Sequence, residues 1–294
     1  MYISPIITLK RTFPFILLLA TITSSLAQEL SEFYPSISGE LIEHNYYSLD
    51  YNENTEQPNW VIYAINPIGK TDRSDNFKID PLVSTRSASL SDYKGSGFDR
   101  GHLAPAGDMN VSSTAMSESF YMSNMSPQKP GFNRGIWKKL EALMRSWSYE
   151  YSSENDYVVV GPVINGNNCG SIGSGVAVPC YYYRIYLNLD RKQAIGFILP
   201  HESSRASLKS YAVSIDSIEH ITSIDFFINL EDKLEESLES NINTNEWIWN
   251  ASNSTFSQKK YSGKATTVQC HGIAKSTGVR CKLKTKNENM TNPT

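Results

Sequence analysis

A chain of 294 residues with 40% hydrophobic and 19% charged residues has the apolar content for one large core or two modest ones, and too much of it for wholesale disorder. Its 27 Lys+Arg stand against 30 Asp+Glu, a formal charge of −3, which argues against a protein that coats nucleic acid through net charge alone. The sequence shows no internal repeat and no apolar run of transmembrane length.

Residues 1–27 read as a secretory signal. Lys10 and Arg11 precede the apolar run Phe13–Ile22, and Ser25-Leu26-Ala27 has the small-x-small form of a cleavage site. The competing reading is a membrane anchor, for which the run is short. Cleavage takes Lys10 and Arg11 from the 27 cations and leaves 25 against 30 acids, a charge of −5. Its distribution is uneven. Residues 215–246 carry nine acids and one Lys, residues 251–294 eight Lys/Arg and one Glu, and Lys70 to Glu141 ten basic and eight acidic residues.

Past the signal, Gln28–Gln57 reads as a Tyr-rich arm with little periodicity, and Trp60–Ile65 as a buried strand. Asn66–Gly97 is loop-like, and its Lys70, Arg73, Lys78 and Arg86 could line a phosphate track. For Lys78 and Arg86 an ordinary solvated loop is an equally good reading. Then comes Phe98-Asp99-Arg100-Gly101-His102, an acid, a guanidinium and an imidazole within four residues. An imidazole can be neutral at working pH and take a proton from water, and a guanidinium offers a planar fork of donors to phosphate. Taken alone, His102 would be a core histidine.

The downstream residues change that reading. The spacing predicts that His102 closes one strand and that Ser119–Asn124 forms a second. Pro130-Gly131 then punctuates the chain, and Ile136, Leu140, Leu143 and Trp147 recur at helical spacing. On one continuous helix Asn133 and Glu141 would lie about 80° apart. An amide oxygen and a carboxylate so placed can hold one hard cation with its waters, which suits Mg²⁺, with Mn²⁺ or another divalent ion in its place.

Farther on, Tyr157–Val163, Tyr182–Leu189 and Ala194–Leu199 are strands by their β-branched and aromatic content, with a Gly/Asn/Ser loop at 166–179. Val213–Ile221 and Leu230–Leu238 are helices, the second with Leu230, Leu234 and Leu238 on one stripe. The expected fold is α+β, a central antiparallel or mixed sheet flanked by helices. One domain is expected over residues 28–250, and residues 251–294 form a Lys-rich appendage. Four cysteines in an exported chain favour disulfides. Three pairings are open, and the local ones, Cys169/Cys180 and Cys270/Cys281, are preferred. A zinc site at Cys270-His271…Cys281 is the alternative for the tail, short of a fourth ligand. His44, His201, His220 and His271 lack an acid–Arg–Gly context and read as core or surface residues.

Taken together, DRGH at 99–102, SNMSPQK at 123–129, the N-x-G-x-W-x-x-LE helix from Asn133, and Asn59-Trp60-Val61 with Gly69-Lys70-Thr71 upstream resemble one family over roughly residues 44–230. These are the DNA/RNA non-specific endonucleases of the ββα-metal (His-Me finger) group, especially the secreted Serratia-type nuclease. The resemblance implies that His102 is the general base, that Asn133 ligates Mg²⁺ directly, and that Glu141 acts through metal-bound water. It places Arg73 at the family's phosphate-contacting arginine, although this chain reads Gly-Lys-Thr-Asp-Arg-Ser-Asp-Asn where the family has G-K-T-R-N. Arg100, Lys129 and Arg134 join Arg73 as substrate-binding cations, Asp99 belongs with the catalytic group, and Asn124 supports the site. The implied activity is Mg²⁺-dependent cleavage of DNA and RNA to 5′-phosphorylated products by a protein exported to the periplasm or the medium. Two rivals are a non-catalytic nucleic-acid-binding or adhesion protein and an exported phosphodiesterase acting on nucleotides.

Overall fold

The strand signal at Trp60–Ile65 belongs to the middle of a seven-stranded sheet. The structure, a computed structural model, describes residues 30–65, 69–153, 155–166, 168–240 and 242–249, with the backbone of two short strands at 268–269 and 284–285. In chain order the first unit contains β1 (Glu40–Glu43), β2 (Tyr47–Asn52), β3 (Gln57–Ala64), α1 (Leu90–Tyr93), β4 (Asp99–His102), α2 (Ser113–Ser119), β5 (Met125–Gln128) and α3 (Lys138–Tyr151). It continues with β6 (Asp156–Pro162), β7 (Ser171–Ile172), β8 (Val176–Ala177), β9 (Tyr181–Asn188), β10 (Gln193–Pro200), β11 (Ala212–Val213), α4 (Ile215–Thr222) and α5 (Asp232–Glu239). The main sheet runs β1-β2-β3-β6-β9-β10-β11, and every neighbouring pair is antiparallel. The fold is α+β.

Both faces of this sheet are covered, which is why its central strands read as unbroken apolar runs. Side chains alternate across a strand with period two. On one face Val61, Tyr63, Val158, Val160, Tyr182 and Tyr186 meet Leu140, Leu143, Met144 and Trp147 of α3. On the other, Trp60, Ile62, Tyr157, Val159, Tyr183 and Ile185 meet Leu30, Phe33, Ile215 and Ile218 of α4, Phe226, Phe227 and Leu238 of α5. The Leu230–Leu234–Leu238 stripe packs in this second layer, as its spacing predicts.

Three local expectations are corrected. The arm expected at 28–57 is not loose over its described part: from Leu30 on it supplies a 3₁₀ turn, β1 and β2, with Leu30, Phe33, Tyr47, Leu49 and Tyr51 buried. Their periodicity is hidden by buried polar residues satisfied locally, as where Asp50 accepts from Gly39 N at 2.7 Å and from Asn59 Nδ2 at 2.8 Å. Ser119–Asn124 is not a strand. Ser112 caps α2 by accepting from Ala115 N, Ser119 ends that helix, and a 3₁₀ turn at Met122–Asn124 delivers the chain to β5. The loop at 166–179 contains the β7–β8 hairpin, turned through Gly173 and Gly175 at positive φ, where glycine carries no Cβ penalty.

That hairpin is tied by the Cys169–Cys180 disulfide. It docks through Gln57 Nε2, which donates to Ala177 O at 2.6 Å, and through Ser174 N, which donates to Asp92 of α1 at 2.9 Å. The chain divides into two units at residue 250. In the second, the described backbone is an antiparallel ladder of Val268–Gln269 with Lys284–Thr285. Residues 1–27, the Cys270/Cys281 pair and the His271 zinc alternative lie outside the described residues. No helix among the described residues is long and apolar enough to cross a membrane. Replacing Cys169 and Cys180 together by Ser should lower unfolding stability by about 2–3 kcal/mol, the loop-closure entropy of a ring this size, measured by urea titration.

Candidate active site

β4 and β5 form a short antiparallel ladder on the α3 side of the sheet, pairing Asp99 with Gln128 and His102 with Met125. Gly101 is required there, because a Cβ would run into the buried side chain of Gln128. His102 ends β4 with 9% of its surface exposed. Its ring lies 4.8 Å from that of Phe120, edge to face, and 5.6 Å from that of Phe77. Nε2 has no hydrogen-bond partner among the described residues. Burial first, then the positive charges of Arg73 and Arg100, push the imidazole down to about 3, with Asp75 opposing. The ring is therefore neutral throughout the physiological range.

The same two aromatic rings hold the two arginines. The Arg100 guanidinium lies 4.1 Å from the centre of Phe77 and that of Arg73 lies 5.0 Å from the centre of Phe120. Arg73 is half exposed and pairs with Asp75 at 2.6 Å. A buried imidazole with an unbonded Nε2 thus packs against two rings that each carry an arginine.

Asn133 sits in a π-helical turn, Phe132–Trp137, that precedes α3. Gly135 leaves the helical region (φ −104°, ψ −110°), so the chain kinks between Asn133 and Glu141. The expectation of one continuous helix, with its 100° per residue, fails at that glycine. What orients Asn133 is Asp99, whose Oδ2 accepts from Asn133 Nδ2 at 3.0 Å. Arg134 donates to both oxygens of Asp99, at 2.9 and 2.6 Å. Pinning the amide nitrogen turns the amide oxygen away from Asp99.

Glu141, on α3, has 13% of its side chain exposed and accepts from Arg184 Nη1 at 3.4 Å. Burial raises the Glu141 carboxyl, and the charges of Arg184 and Arg145 oppose that rise. Arg184 is fully buried in β9. Its Nη2 donates to Tyr63 Oη at 2.8 Å and to Leu103 O at 3.0 Å, and its guanidinium lies 5.0 Å from the centre of Trp137. Tyr63 in turn donates to Asp108, which also accepts from Arg145. Sequence reasoning missed Arg184, Asp108 and Arg145. The available signal was a lone arginine inside an apolar strand, which must find a buried partner.

Asn124 is fully buried. Its Oδ1 accepts from Ala104 N at 2.8 Å, and its Nδ2 donates to Ala104 O and Ser119 O at 2.9 and 2.8 Å. It thereby anchors the chain two residues past His102. His44 and His201 are core residues, as expected: His44 bonds Asp80 at 2.8 Å, and His201 accepts from Lys129 N at 2.6 Å.

Arg73, Phe77, Lys94, Phe98, Asp99, Arg100, Asn133 and Arg134 line one cleft of about 690 Å³. Four cations and one acid therefore face it, and Lys94 was not foreseen. Lys129 is exposed and does not line it. Nor do Lys78 and Arg86; Lys78 is bound to Ser117 Oγ at 2.6 Å.

A seven-stranded sheet carrying a β-β-helix unit, with an imidazole, an oriented amide and a cationic cleft, defines a phosphodiester-cleaving class of enzyme. Comparison with known proteins agrees. The DNA/RNA non-specific endonuclease model matches residues 29–233. Nuclease C1 of Cunninghamella echinulata var. echinulata is 34% identical over 225 residues, covering 67% of this chain and 86% of its own. A nuclease of Nostoc sp. is 31% identical over 218 residues, covering 69% and 78%. Human mitochondrial endonuclease G is 32% identical over 208 residues, covering 63% and 68%. Among solved structures, a chain of the EndoG/EndoGI complex superposes with a TM-score of 0.64 at 27% identity, covering 72% of this chain and 95% of that one. The chain belongs to the DNA/RNA non-specific endonuclease family and is a nucleic-acid hydrolase.

Arg184→Met should destabilise the fold by about 3–5 kcal/mol, since it leaves Glu141 and the Leu103 carbonyl without their buried donor. Urea unfolding checks this. A loss below about 1 kcal/mol would show that the network is dispensable.

Proposed function

We propose that this chain is an exported, Mg²⁺-dependent, sequence-non-specific endonuclease that cleaves DNA and RNA to 5′-phosphorylated products, with His102 as general base. The observation that carries the reading is the neutral, buried His102 packed against Phe77 and Phe120, the rings on which Arg100 and Arg73 of the cleft wall lie. A phosphodiester drawn into the cleft meets these guanidinia, which neutralise its charge. Neutralising them in turn removes two of the influences that weaken His102 as a base, so substrate binding raises its affinity for a proton. The imidazole then takes a proton from the attacking water, a transfer typically worth ~10²–10⁴ in rate.

The donor set suits a divalent cation. The Asn133 amide oxygen, left free by the bond from its nitrogen to Asp99, and the Glu141 carboxylate are hard oxygen ligands, Glu141 acting through water. When bound, such an ion supplies Lewis-acid stabilisation of the charge building on the phosphate and on the departing 3′ oxygen. Asp99 positions Asn133 and Arg134 and touches no reacting atom in this scheme. Asn124 keeps His102 in register. Cations and rings on the cleft wall address the phosphate backbone, which carries no sequence information. Export is supported by the 1–27 pattern and by the Cys169–Cys180 bridge, an oxidised pair suited to a compartment outside the cytosol. The catalytic domain spans 28–250, with 251–294 as a separate Lys-rich appendage.

EDTA should abolish cleavage of plasmid DNA and Mg²⁺ should restore it. Asn133→Ala should lose most activity while keeping a native unfolding midpoint; full activity in EDTA after dialysis would remove the metal assignment.

For the base, His102→Ala should lose ~10² or more in turnover with DNA binding retained. The wild-type acid limb of kcat/KM should fall well below pH 6.5, because the free enzyme's imidazole stays neutral until the pH approaches about 3. Turnover near wild type in His102→Ala at neutral pH would refute the mechanism.

A further inference from the structure

On the sheet face opposite the cleft, α4 and α5 bring three carboxylates together. Asp216 and Glu219 lie three residues apart on α4, and Glu239 is the last residue of α5. One oxygen from each lies within 4.8 Å of the other two. Asp216 is exposed, Glu219 is half-buried and Glu239 is buried, with 7% of its surface exposed. The group therefore has an open mouth and a closed floor. At that floor, Oε1 of Glu239 is buried without a hydrogen-bond partner among the described residues.

A bare carboxylate is poorly placed here. Glu239 ends a helix, where the free carbonyls disfavour negative charge. Burial, then the charges of Glu219, Glu235, Asp216 and Asp225, push its carboxyl up to about 8. The ion pairs found among the described residues include none of these acids. Positive charge must come from elsewhere, as a proton or as a cation.

We propose that Asp216, Glu219 and Glu239 form a binding site for a divalent cation of the calcium type, separate from the cleft. The ligand set is entirely carboxylate oxygen, without sulfur or imidazole, which selects a hard ion. Oxygens at about 2.3–2.6 Å from one Ca²⁺ lie at most about 5 Å apart, which matches the observed span. The open side, at Asp216, leaves room for the waters that complete six to eight ligands. The ion would fasten α4 to α5, and with them the layer in which Ile218 and Leu238 cover the sheet. An open site of this kind is expected to bind at about 10⁻⁴–10⁻³ M.

The test is a CaCl₂ titration of the full chain, freed of metal by EDTA and dialysis, followed by its thermal midpoint. The midpoint should rise and saturate, since a ligand bound only to the folded state stabilises it. The rise should survive Asn133→Ala, which removes the cleft ligand. In Glu239→Gln, and in the exposed variant Asp216→Asn, apparent affinity should fall at least tenfold while Mg²⁺-supported nuclease activity stays at the wild-type level. No rise in the wild type would overturn the proposal, as would a rise unchanged in both variants. A Glu239→Gln midpoint above wild type, with no calcium response in either, would assign the cluster to a shared proton instead.

Discussion

The side of the molecule that carries the cleft depends on one fully buried guanidinium. Arg184 rises from the middle of β9 and reaches three separate parts of the chain: Tyr63 on β3, Leu103 just past β4, and Glu141 on α3. A buried charge is tolerated when opposite charge is near and most of its donors are matched; Nη1 and Nη2 of Arg184 make these bonds, while Nε has no partner among the described residues. Here Asp108, held by Tyr63 and Arg145, supplies a second acid. The residue after His102 and the helix that carries Glu141 are thus referred to the same atom group of the central sheet. Rigid strands position a site more closely than loops can, and β9 does so for α3 and for the end of β4, whose own ladder with β5 is only four residues long.

Around that frame the cleft separates charge from chemistry. Its cations lie on its walls, while the imidazole behind them is kept neutral by burial and by two of them, Arg73 and Arg100. In the proposed mechanism a base held so low is weak in the free enzyme, and best tuned only when an anion occupies the cleft. That mechanism thereby couples the basicity of His102 to the arrival of the phosphate. Asp99 plays a complementary part. By bonding the Asn133 nitrogen and both Nε and Nη2 of Arg134, this single acid of the cleft wall is held as a paired charge.

Net charge misleads about such a molecule. The formal value is −3, yet the cleft presents four cations and one acid, while six of the nine acids of 215–246 sit on α4 and α5, which cover the opposite sheet face. Local field at the cleft governs encounter with a polyanion, and overall negative charge limits tight coating and favours release.

The sequence by itself marked the candidate site. Asp99, Arg100, His102, Asn133 and Glu141 stood out through residue types suited to proton transfer and a hard cation, and through motif spacing that resembles one endonuclease family. The β-branched and aromatic runs marked the central strands, since burial on both faces leaves no polar positions to obscure them. Tertiary structure alone decided the rest. Residues 30–57 join the sheet through pairing with β3 and through polar contacts that erase their periodicity. Gly135 breaks the helix that a 3.6-residue repeat implies, so Asp99, and not helical phase, orients Asn133. Arg184 lies 43 residues from Glu141, and Lys94 enters the cleft wall from a loop. Such partnerships arise from which strands neighbour one another, and hydrophobic periodicity, being local, carries no record of that.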